Sequence, residues 1–305
     1  MRNNNLKGTL ILIIAALIWG LAFVAQSDAA EFVPPFTFNM LRSVIGSGVL
    51  YLFWFFSSKK ETKRFFPENP EDRKSYYACA LVCGICLSFA INFQQFGISA
   101  YPKGVASEAR SGFITALYVI LVPCFSVFLK KRVGMPVLLG VLIAVAGVYL
   151  LCFSKGISGI YIGDALVFLC TIAFSIHIMA VDRFADEIGG VKLSIMQFGV
   201  AAVVSAVLAV IFEFERISFA NIISAAPQIL FLGVMSSGVA YTLQIVGQKY
   251  AEPTVASITM SLESVFAALG GWLISGNTLS HREILGCTLV FVAILVAQIP
   301  RKISN

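Results

Sequence analysis

The sequence predicts an all-α integral membrane protein, with ten transmembrane helices arranged as two inverted five-helix repeats. Three observations lead to this fold class: the composition, the number of long apolar runs, and an internal repeat. Of the 305 residues, 58% are hydrophobic and 12% are charged, and the mean hydropathy is +0.88. A soluble domain carries about 25% charged residues. The composition therefore places the chain in a lipid bilayer.

The apolar runs give the number of spans. A helix that crosses a bilayer needs about 20 mostly apolar residues, and ten runs approach or exceed this length. The first run follows a basic N-terminus, as in a secretory signal, but it is longer than the apolar core of such a signal, so we interpret it as a retained helix. The runs lie at residues 8–27, 36–56, 78–99, 104–129, 135–153, 163–181, 192–212, 227–248, 253–275 and 284–299.

One stretch of sequence recurs 150 residues later. Residues 90–111 and 240–261 align without gaps and share seven identities, including Gln94/Gln244 and Gly97/Gly247. Each copy lies in a half of five spans, and an odd number of spans makes the second half enter the membrane in the opposite orientation. We therefore predict inverted repeats at 1–154 and 155–305, an organisation typical of alternating-access transporters.

The distribution of cations predicts the orientation. With a cytoplasmic N-terminus, 16 of the 22 Lys and Arg residues fall in inner loops and tails and four in outer loops. Because cytoplasmic loops carry the excess of Lys and Arg, we expect a multi-pass protein of the inner (cytoplasmic) membrane with both termini cytoplasmic. The net charge of +6 then reflects orientation and gives no support to a nucleic-acid partner.

The longest polar segment, residues 57–77, carries both charge signs and two prolines. We interpret it as a solvated cytoplasmic loop, with a lipid-binding or partner-binding role as the alternative.

The cysteines and the missing nucleotide motif limit the chemistry. Cys83-x-x-Cys86 could bind a metal, but no histidine pattern accompanies it, so we expect packing cysteines and predict neither a metal nor a cofactor. A Gly-x-x-x-x-Gly-Lys phosphate loop is missing from the sequence, which disfavours ATP-driven pumping.

Polar stripes on two predicted spans indicate a binding site. The third span carries Ser88, Asn92, Gln95 and Ser99 on one helical face, and the eighth carries Ser237, Tyr241, Gln244 and Gln248 at the same spacing. We expect the two stripes to face each other across a cavity. The alternative is that these side chains only join helices by hydrogen bonds.

Other spans add aromatic and ionisable candidates. An acidic group near the midplane costs about 2.5 to 3.5 kcal/mol on insertion scales, so Glu263 should face protein or water. It could bind a substrate amine, carry a proton, or act structurally. Arg42 and Arg110 lie nearer the outer ends, where we expect their side chains to snorkel and anchor the helices. The candidates for substrate binding are Trp19, Asn92, Gln95, Tyr118, Tyr241 and Gln244, and those for coupling or gating are Glu108, His177 and Glu263.

Several of these positions resemble the drug/metabolite transporter superfamily, EamA-like branch. The resemblance runs through nearly the whole chain, and its most specific part is the segment 251–257, which leads to Ser261-Leu262-Glu263. It also includes Trp19-Gly20, Arg42, Pro123, Gly140, Gly147 and Gly286. The chain departs from the family pattern at Ser264, at Gly276-Asn277 and at Lys130-Lys131-Arg132. The resemblance implies a ten-helix inner-membrane carrier that exports amino acids or other metabolites from a pocket between its halves.

The leading hypothesis is secondary efflux of a small zwitterionic or amphipathic metabolite, with protons as the hypothetical coupling ion. The partners expected are the small-molecule substrate and the lipid bilayer, and both a monomer and a homodimer stay open. The first alternative is exchange of an anionic metabolite, such as a nucleotide sugar or sugar phosphate, which would need Arg42 and Arg110 in the pocket. A membrane-embedded lipid enzyme is the second alternative.

Overall fold

The computed structural model describes residues 2–57, 64–102, 107–130, 133–152, 161–275, 280–297 and 299. In this part of the chain the backbone is helical and no strand occurs. The helices are α1 (Arg2–Ala30), α2 (Pro35–Ser57), α3 (Pro70–Ser99), α4 (Ser107–Ala116), α5 (Tyr118–Phe128), α6 (Met135–Cys152), α7 (Ile162–Ile188), α8 (Gly190–Phe212), α9 (Phe219–Ser224), α10 (Ala226–Phe231), α11 (Tyr241–Gln248), α12 (Pro253–Met260), α13 (Leu262–Ser275) and α14 (His281–Ala297), with a 3-10 turn at Phe214–Arg216 and a π-helical segment at Leu232–Ala240.

Seven helical stretches in the described residues are long and apolar enough to cross a membrane. They match seven of the ten predicted spans, the first to fourth and the sixth to eighth. The fifth and tenth coincide with shorter apolar helices, Met135–Leu150 and Ile284–Ala297. The ninth corresponds to α12 followed by α13. The all-helical, multi-pass prediction is confirmed, and the count of ten stays a prediction. The seven stretches are Leu6–Ala30, Pro35–Ser57, Pro70–Ser99, Arg110–Phe128, Ile162–Phe184, Gly190–Phe212 and Ala226–Gln248.

The fourth predicted span is interrupted at Leu117, between α4 and α5. The Thr171 hydroxyl of α7 donates a hydrogen bond of 2.8 Å to the carbonyl of Ile114, and Leu117 N donates to the same carbonyl in a tight i−3 bond of 3.2 Å. A side chain that enters the backbone ladder is a recognised cause of a helix break. The break places Tyr118 at the start of α5.

The ninth predicted span is interrupted at Ser261, between α12 and α13. Hydroxyl groups of Ser257, Thr259 and Ser261 donate to carbonyls three or four residues earlier, at 2.7 to 2.8 Å. Such bonds compete with the helical ladder and bend it. Glu263 follows the break by two residues, so both interruptions lie next to predicted site residues.

Glycine contacts hold α3 against α7, and a contact of the same form occurs between α11 and α1. A Cβ at Gly97 would lie 2.5 Å from Val167, and a Cβ at Gly247 would lie 2.7 Å from Leu12. Only glycine lets the backbones approach this closely. In the first contact Gly97 packs on Gly163 and Val167, and in the second Gly247 packs on Gly8 and Leu12. Gly97 and Gly247 are 150 residues apart. Gly163 follows Gly8 by 155 residues, and Val167 follows Leu12 by 155 residues.

A second glycine contact also occurs twice, and its partner residues have the same spacing of 155 as in the first contact. Gly84 of α3 packs on α8, and Gly233 of the π-helical segment packs on α2. The contacts are Gly84 with Val200 and the carbonyl of Gln197, and Gly233 with Ile45 and the carbonyl of Arg42. Gly84 and Gly233 are 149 residues apart, whereas Val200 follows Ile45, and Gln197 follows Arg42, by 155 residues.

The carboxylate of Glu213 caps the N-terminus of α2 from a distant part of the chain. It accepts hydrogen bonds from Phe36 N at 2.9 Å and from Thr37 N and Oγ1 at 2.8 and 2.9 Å. The first amides of a helix have no partner within the helix, and a negative charge there also complements the helix dipole. The cap therefore fixes the start of α2, the helix that carries Arg42.

Removing this cap is expected to destabilise the protein. Glu213→Ala leaves one buried amide, one partly buried amide and one hydroxyl without an acceptor, so the free energy of unfolding should fall by roughly 2 to 3 kcal/mol. The measurement is thermal unfolding of the purified protein in detergent. Glu215→Ala is the matched control because Glu215 is exposed. Equal unfolding temperatures for the two variants would contradict the capping role.

Gly20 of α1 packs directly against the backbone of α13. A Cβ at this position would lie 2.6 Å from the Cβ of Phe266 and 2.7 Å from the carbonyl oxygen of Glu263. Gly20→Ala should therefore cost about 1 to 3 kcal/mol of stability through overpacking. At Gly48 of α2 a Cβ meets nothing within 4 Å, so Gly48→Ala should be neutral or stabilise by up to about 1 kcal/mol. Unfolding temperatures that rise in both variants would show that α1 and α13 are not in close contact.

Candidate functional site

A small cavity lies between the helices of the bundle. Both halves of the chain contribute to its wall. The first half supplies Trp19, Ala22, Phe23, Gln26, Arg42, Gln94, Thr115 and Tyr118, and the second supplies Phe174, Ile178, Ser236, Tyr241, Gln244, Met260 and Glu263.

The spacing of the glycine contacts recurs in the cavity wall. Gln94 and Gln244, which line the cavity from α3 and α11, are 150 residues apart. Trp19 of α1 and Phe174 of α7 are 155 apart, and so are Phe23 and Ile178. Equivalent positions of the two halves therefore meet at one cavity.

Arg42 is the cation in the cavity wall. Its residue is 2% exposed, and its Nη1 donates a hydrogen bond of 3.3 Å to Oε1 of Gln26. Among the described residues, its Nε has no hydrogen-bond partner. The expectation that Arg42 snorkels to the outer membrane surface is wrong, because the side chain turns into the bundle beside the amide of Gln26. A fully buried guanidinium that faces a cavity is available to an anionic ligand group.

Glu263 is the carboxylate in the cavity wall. It is 4% exposed, and its Oε1 accepts a hydrogen bond of 2.9 Å from the Tyr118 hydroxyl. The two helix breaks bring these side chains together, one from α5 and one from α13. The sequence predicts that Glu263 faces protein or water, and in the structure its side chain faces Tyr118 and the cavity.

Arg42 and Glu263 do not form an ion pair with each other. The ion pairs within 4 Å among the described residues are Arg64–Glu68 and Arg110–Asp164. The cavity wall therefore carries one guanidinium and one carboxyl group, each hydrogen-bonded to a neutral neighbour.

Aromatic rings pack around Tyr241 in the cavity wall. The Trp19 ring meets it edge to face at a centroid distance of 4.9 Å, and the Phe198 ring does so at 5.1 Å. Trp19 Nε1 and Gln244 Oε1 are buried and have no hydrogen-bond partner in the part of the chain that the structure describes. Unsatisfied buried polar atoms are rare in proteins and are often explained by function. The predicted candidates Trp19, Tyr118, Tyr241 and Gln244 thus lie together at one cavity.

Asn92 and Gln95 lie outside the cavity wall. The Asn92 amide bonds to the carbonyl of Ser88, to Ser205 and to Asn39, at 2.8 to 3.1 Å. Gln95 Nε2 donates a hydrogen bond of 3.1 Å to the carbonyl of Gln26. These contacts fit the alternative that the α3 stripe joins helices. The neighbouring Gln94 lines the cavity instead, and its place in the internal repeat was the signal that could have identified it.

His177 and Glu108, the other coupling candidates, also lie outside the cavity wall. The His177 ring is buried behind Tyr241, at a centroid distance of 6.2 Å, and its Nε2 lies 2.9 Å from Oε1 of Gln197. Glu108 is in the first turn of α4, beside the contact of 3.0 Å between the hydroxyls of Ser27 and Ser107. Of the three coupling candidates, only Glu263 lines the cavity.

Arg110 forms an ion pair at the predicted outer ends of α4 and α7. Its Nη2 and Nε donate to the two carboxylate oxygens of Asp164, at 2.6 and 3.0 Å, and Tyr101 donates to Asp164 Oδ1 at 2.8 Å. Burial, together with the hydrogen bond to Asp164, raises the pKa of the Tyr101 hydroxyl above its ordinary value. Arg110 thus joins the starts of α4 and α7 through an ion pair, and its role as a membrane anchor stays a prediction.

Known proteins similar to this chain are transporters. The EamA-like transporter family matches residues 6–153 and again residues 161–298. An uncharacterised transporter from Archaeoglobus fulgidus is 27% identical over 97% of this chain and 87% of its own length. The uncharacterised transporter YoaV from Bacillus subtilis is 24% identical over 95% of this chain and 96% of its own.

A solved structure shows the same fold. A crystal structure of a protein 21% identical in sequence superposes with a TM-score of 0.76 and covers 95% of this chain and 96% of its own. At this identity the likeness concerns the fold alone, and the function follows from the family. The chain is a multi-pass membrane protein of the EamA-like transporter family.

Proposed function

We propose that this transporter exports small zwitterionic metabolites, such as amino acids, across the inner membrane. One observation carries the proposal: a buried guanidinium and a buried carboxylate, Arg42 and Glu263, line the same cavity without pairing with each other. A ligand that carries both an anionic and a cationic group satisfies both charges at once.

The energetics of buried charge favour this substrate class. A charge inside a membrane costs about 2.5 to 3.5 kcal/mol on insertion scales and normally finds a counter-ion. Arg42 and Glu263 have the neutral neighbours Gln26 and Tyr118 instead. A ligand carboxylate would take two parallel hydrogen bonds from the Arg42 fork, and a ligand ammonium would pair with Glu263. Trp19 and Tyr241 then offer an aromatic wall for an apolar or cationic part of the ligand.

The structure gives less support to the two alternatives. A nucleotide sugar or sugar phosphate carries more than one negative charge, and Arg42 is the single cation among the lining residues. Arg110 is already engaged by Asp164. A lipid-modifying enzyme has no supporting observation in a family of transporters.

The proposed mechanism is alternating access by two inverted halves, 1–154 and 155–305, with ten spans in total. The recurring glycine contacts support an inverted duplication, because the contact of α3 with α7 has its counterpart between α11 and α1. Arg42 belongs to the first half and Glu263 to the second. A bound zwitterion would therefore bridge the halves, and the cavity would open to either side as they rock. The 16 to 4 distribution of cations supports cytoplasmic termini.

Glu263 is also the proposed coupling group. A carboxylate in an apolar cavity is neutralised by a proton or by a substrate ammonium, and one bound cation excludes the other. Competition of this kind would exchange an outgoing substrate for incoming protons. Glu108 and His177 stay outside the cavity, where they cannot contact the substrate.

Transport into proteoliposomes tests the substrate class. Flux is measured for a panel of amino acids, for their decarboxylated amines and for their deaminated acids. Arg42→Gln should weaken the apparent affinity for ligands with a carboxylate at least about tenfold and leave amines unaffected, and Glu263→Gln should do the reverse, because removal of one partner of a buried charge contact costs 2 kcal/mol or more. Arg110→Gln is the control for loss of a cation outside the cavity. Flux of sugar phosphates without flux of amino acids would refute the proposal.

The coupling role of Glu263 has a separate test. At saturating substrate, the Glu263→Gln protein should still exchange labelled for unlabelled substrate, because only affinity is reduced. It should no longer accumulate substrate in response to a pH gradient, whereas His177→Gln should respond like the wild type. A Glu263→Gln protein that still follows the pH gradient would place the coupling proton elsewhere.

A further inference from the structure

A second groove lies at the end of the bundle opposite the Arg110–Asp164 contact. It is formed where α2 ends, α3 begins and α8 begins. Its wall contains the aromatic side chains of Trp54, Phe66 and Tyr76 and the charged side chains of Arg64, Glu68 and Lys192. The transport cavity shares none of these residues.

Lys192 is the uncompensated cation of this groove. Its Nζ donates a hydrogen bond of 3.0 Å to the carbonyl of Arg64 and lies 5.9 Å from the centroid of the Trp54 ring. Among the described residues no carboxylate lies within 4 Å of it. Arg64, by contrast, pairs with Glu68 on the exposed rim. The groove therefore has an excess positive charge, held by aromatic rings and a backbone carbonyl.

Exposed aromatic side chains lie close in sequence to residues of the groove wall. Phe53 and Phe56, in the last two turns of α2, are 59% and 79% exposed, and Tyr77 of α3 is 51% exposed. Exposed aromatic side chains at helix ends mark the level of the lipid headgroups. A basic groove between helix ends at this level has the charge of a lipid phosphate site, and the exposed rings beside it suit the first part of an acyl chain.

We propose that this groove binds the phosphate group of an anionic phospholipid, with Lys192 as the principal cation. Arg64 contributes more weakly because Glu68 already neutralises it. A lipid at this position would tie the end of α2 to the beginnings of α3 and α8.

Native mass spectrometry of the detergent-purified full-length protein tests the proposal, with phosphatidylglycerol and phosphatidylcholine as probes. The wild type should bind phosphatidylglycerol preferentially. Lys192→Gln should weaken that binding about fivefold, the factor expected for one cation near a lipid surface. Lys74→Gln should leave it unchanged, since Lys74 is an exposed cation of α3 outside the groove.

A change of opposite sign makes the test independent of any folding defect. Glu68→Gln removes the negative charge that neutralises Arg64, so phosphatidylglycerol should bind more tightly, again about fivefold. Equal affinity for the two lipids, equal weakening by Lys192→Gln and Lys74→Gln, or no gain in Glu68→Gln would each overturn the proposal. Displacement of the lipid by an equal concentration of inorganic phosphate would also overturn it, because the site would then recognise a free anion.

Discussion

The low dielectric of the bilayer is the constraint on which the rest of this structure depends. Without water, each backbone amide must find a partner within the protein, which makes every described span helical. The same constraint gives the side chains of Arg42 and Glu263 their significance. A charge that does not reach the membrane surface has to face protein or a cavity, and these two face the same cavity.

Close helix packing is the second requirement, and glycine meets it at positions that recur along the chain. Gly97 and Gly247 let α3 and α11 approach their neighbours in the same way, although the surrounding sequence has diverged. At the cavity the two halves differ in chemistry. Trp19 corresponds in spacing to Phe174, and Arg42 corresponds to Gln197, which contacts His177. Equivalent backbone positions thus carry the charged Arg42 in the first half and the neutral amide of Gln197 in the second.

The polar pattern of the sequence predicted which helices form the cavity better than it predicted which residues of each helix line it. Tyr241 and Gln244 line it as predicted, whereas on α3 the predicted stripe through Asn92 and Gln95 joins helices and Gln94 lines the cavity. Adjacent helical residues point about 100° apart, so an error of one residue changes the face. The spacing of polar residues defines a face, but only the neighbouring helices decide whether it meets a cavity or a packed interface.

Composition, apolar runs and the repeat by themselves determined the class of this protein, because the hydrophobic length of a bilayer can be counted along a chain. The tertiary structure decided where the charges go. Arg42 lies close enough to a predicted outer end to snorkel, but the amide of Gln26 on α1 draws it inward. The break at Ser261 places Glu263 against Tyr118, which lies 145 residues earlier in the chain, on α5. Both positions depend on contacts between helices that are distant in sequence, which no local pattern contains.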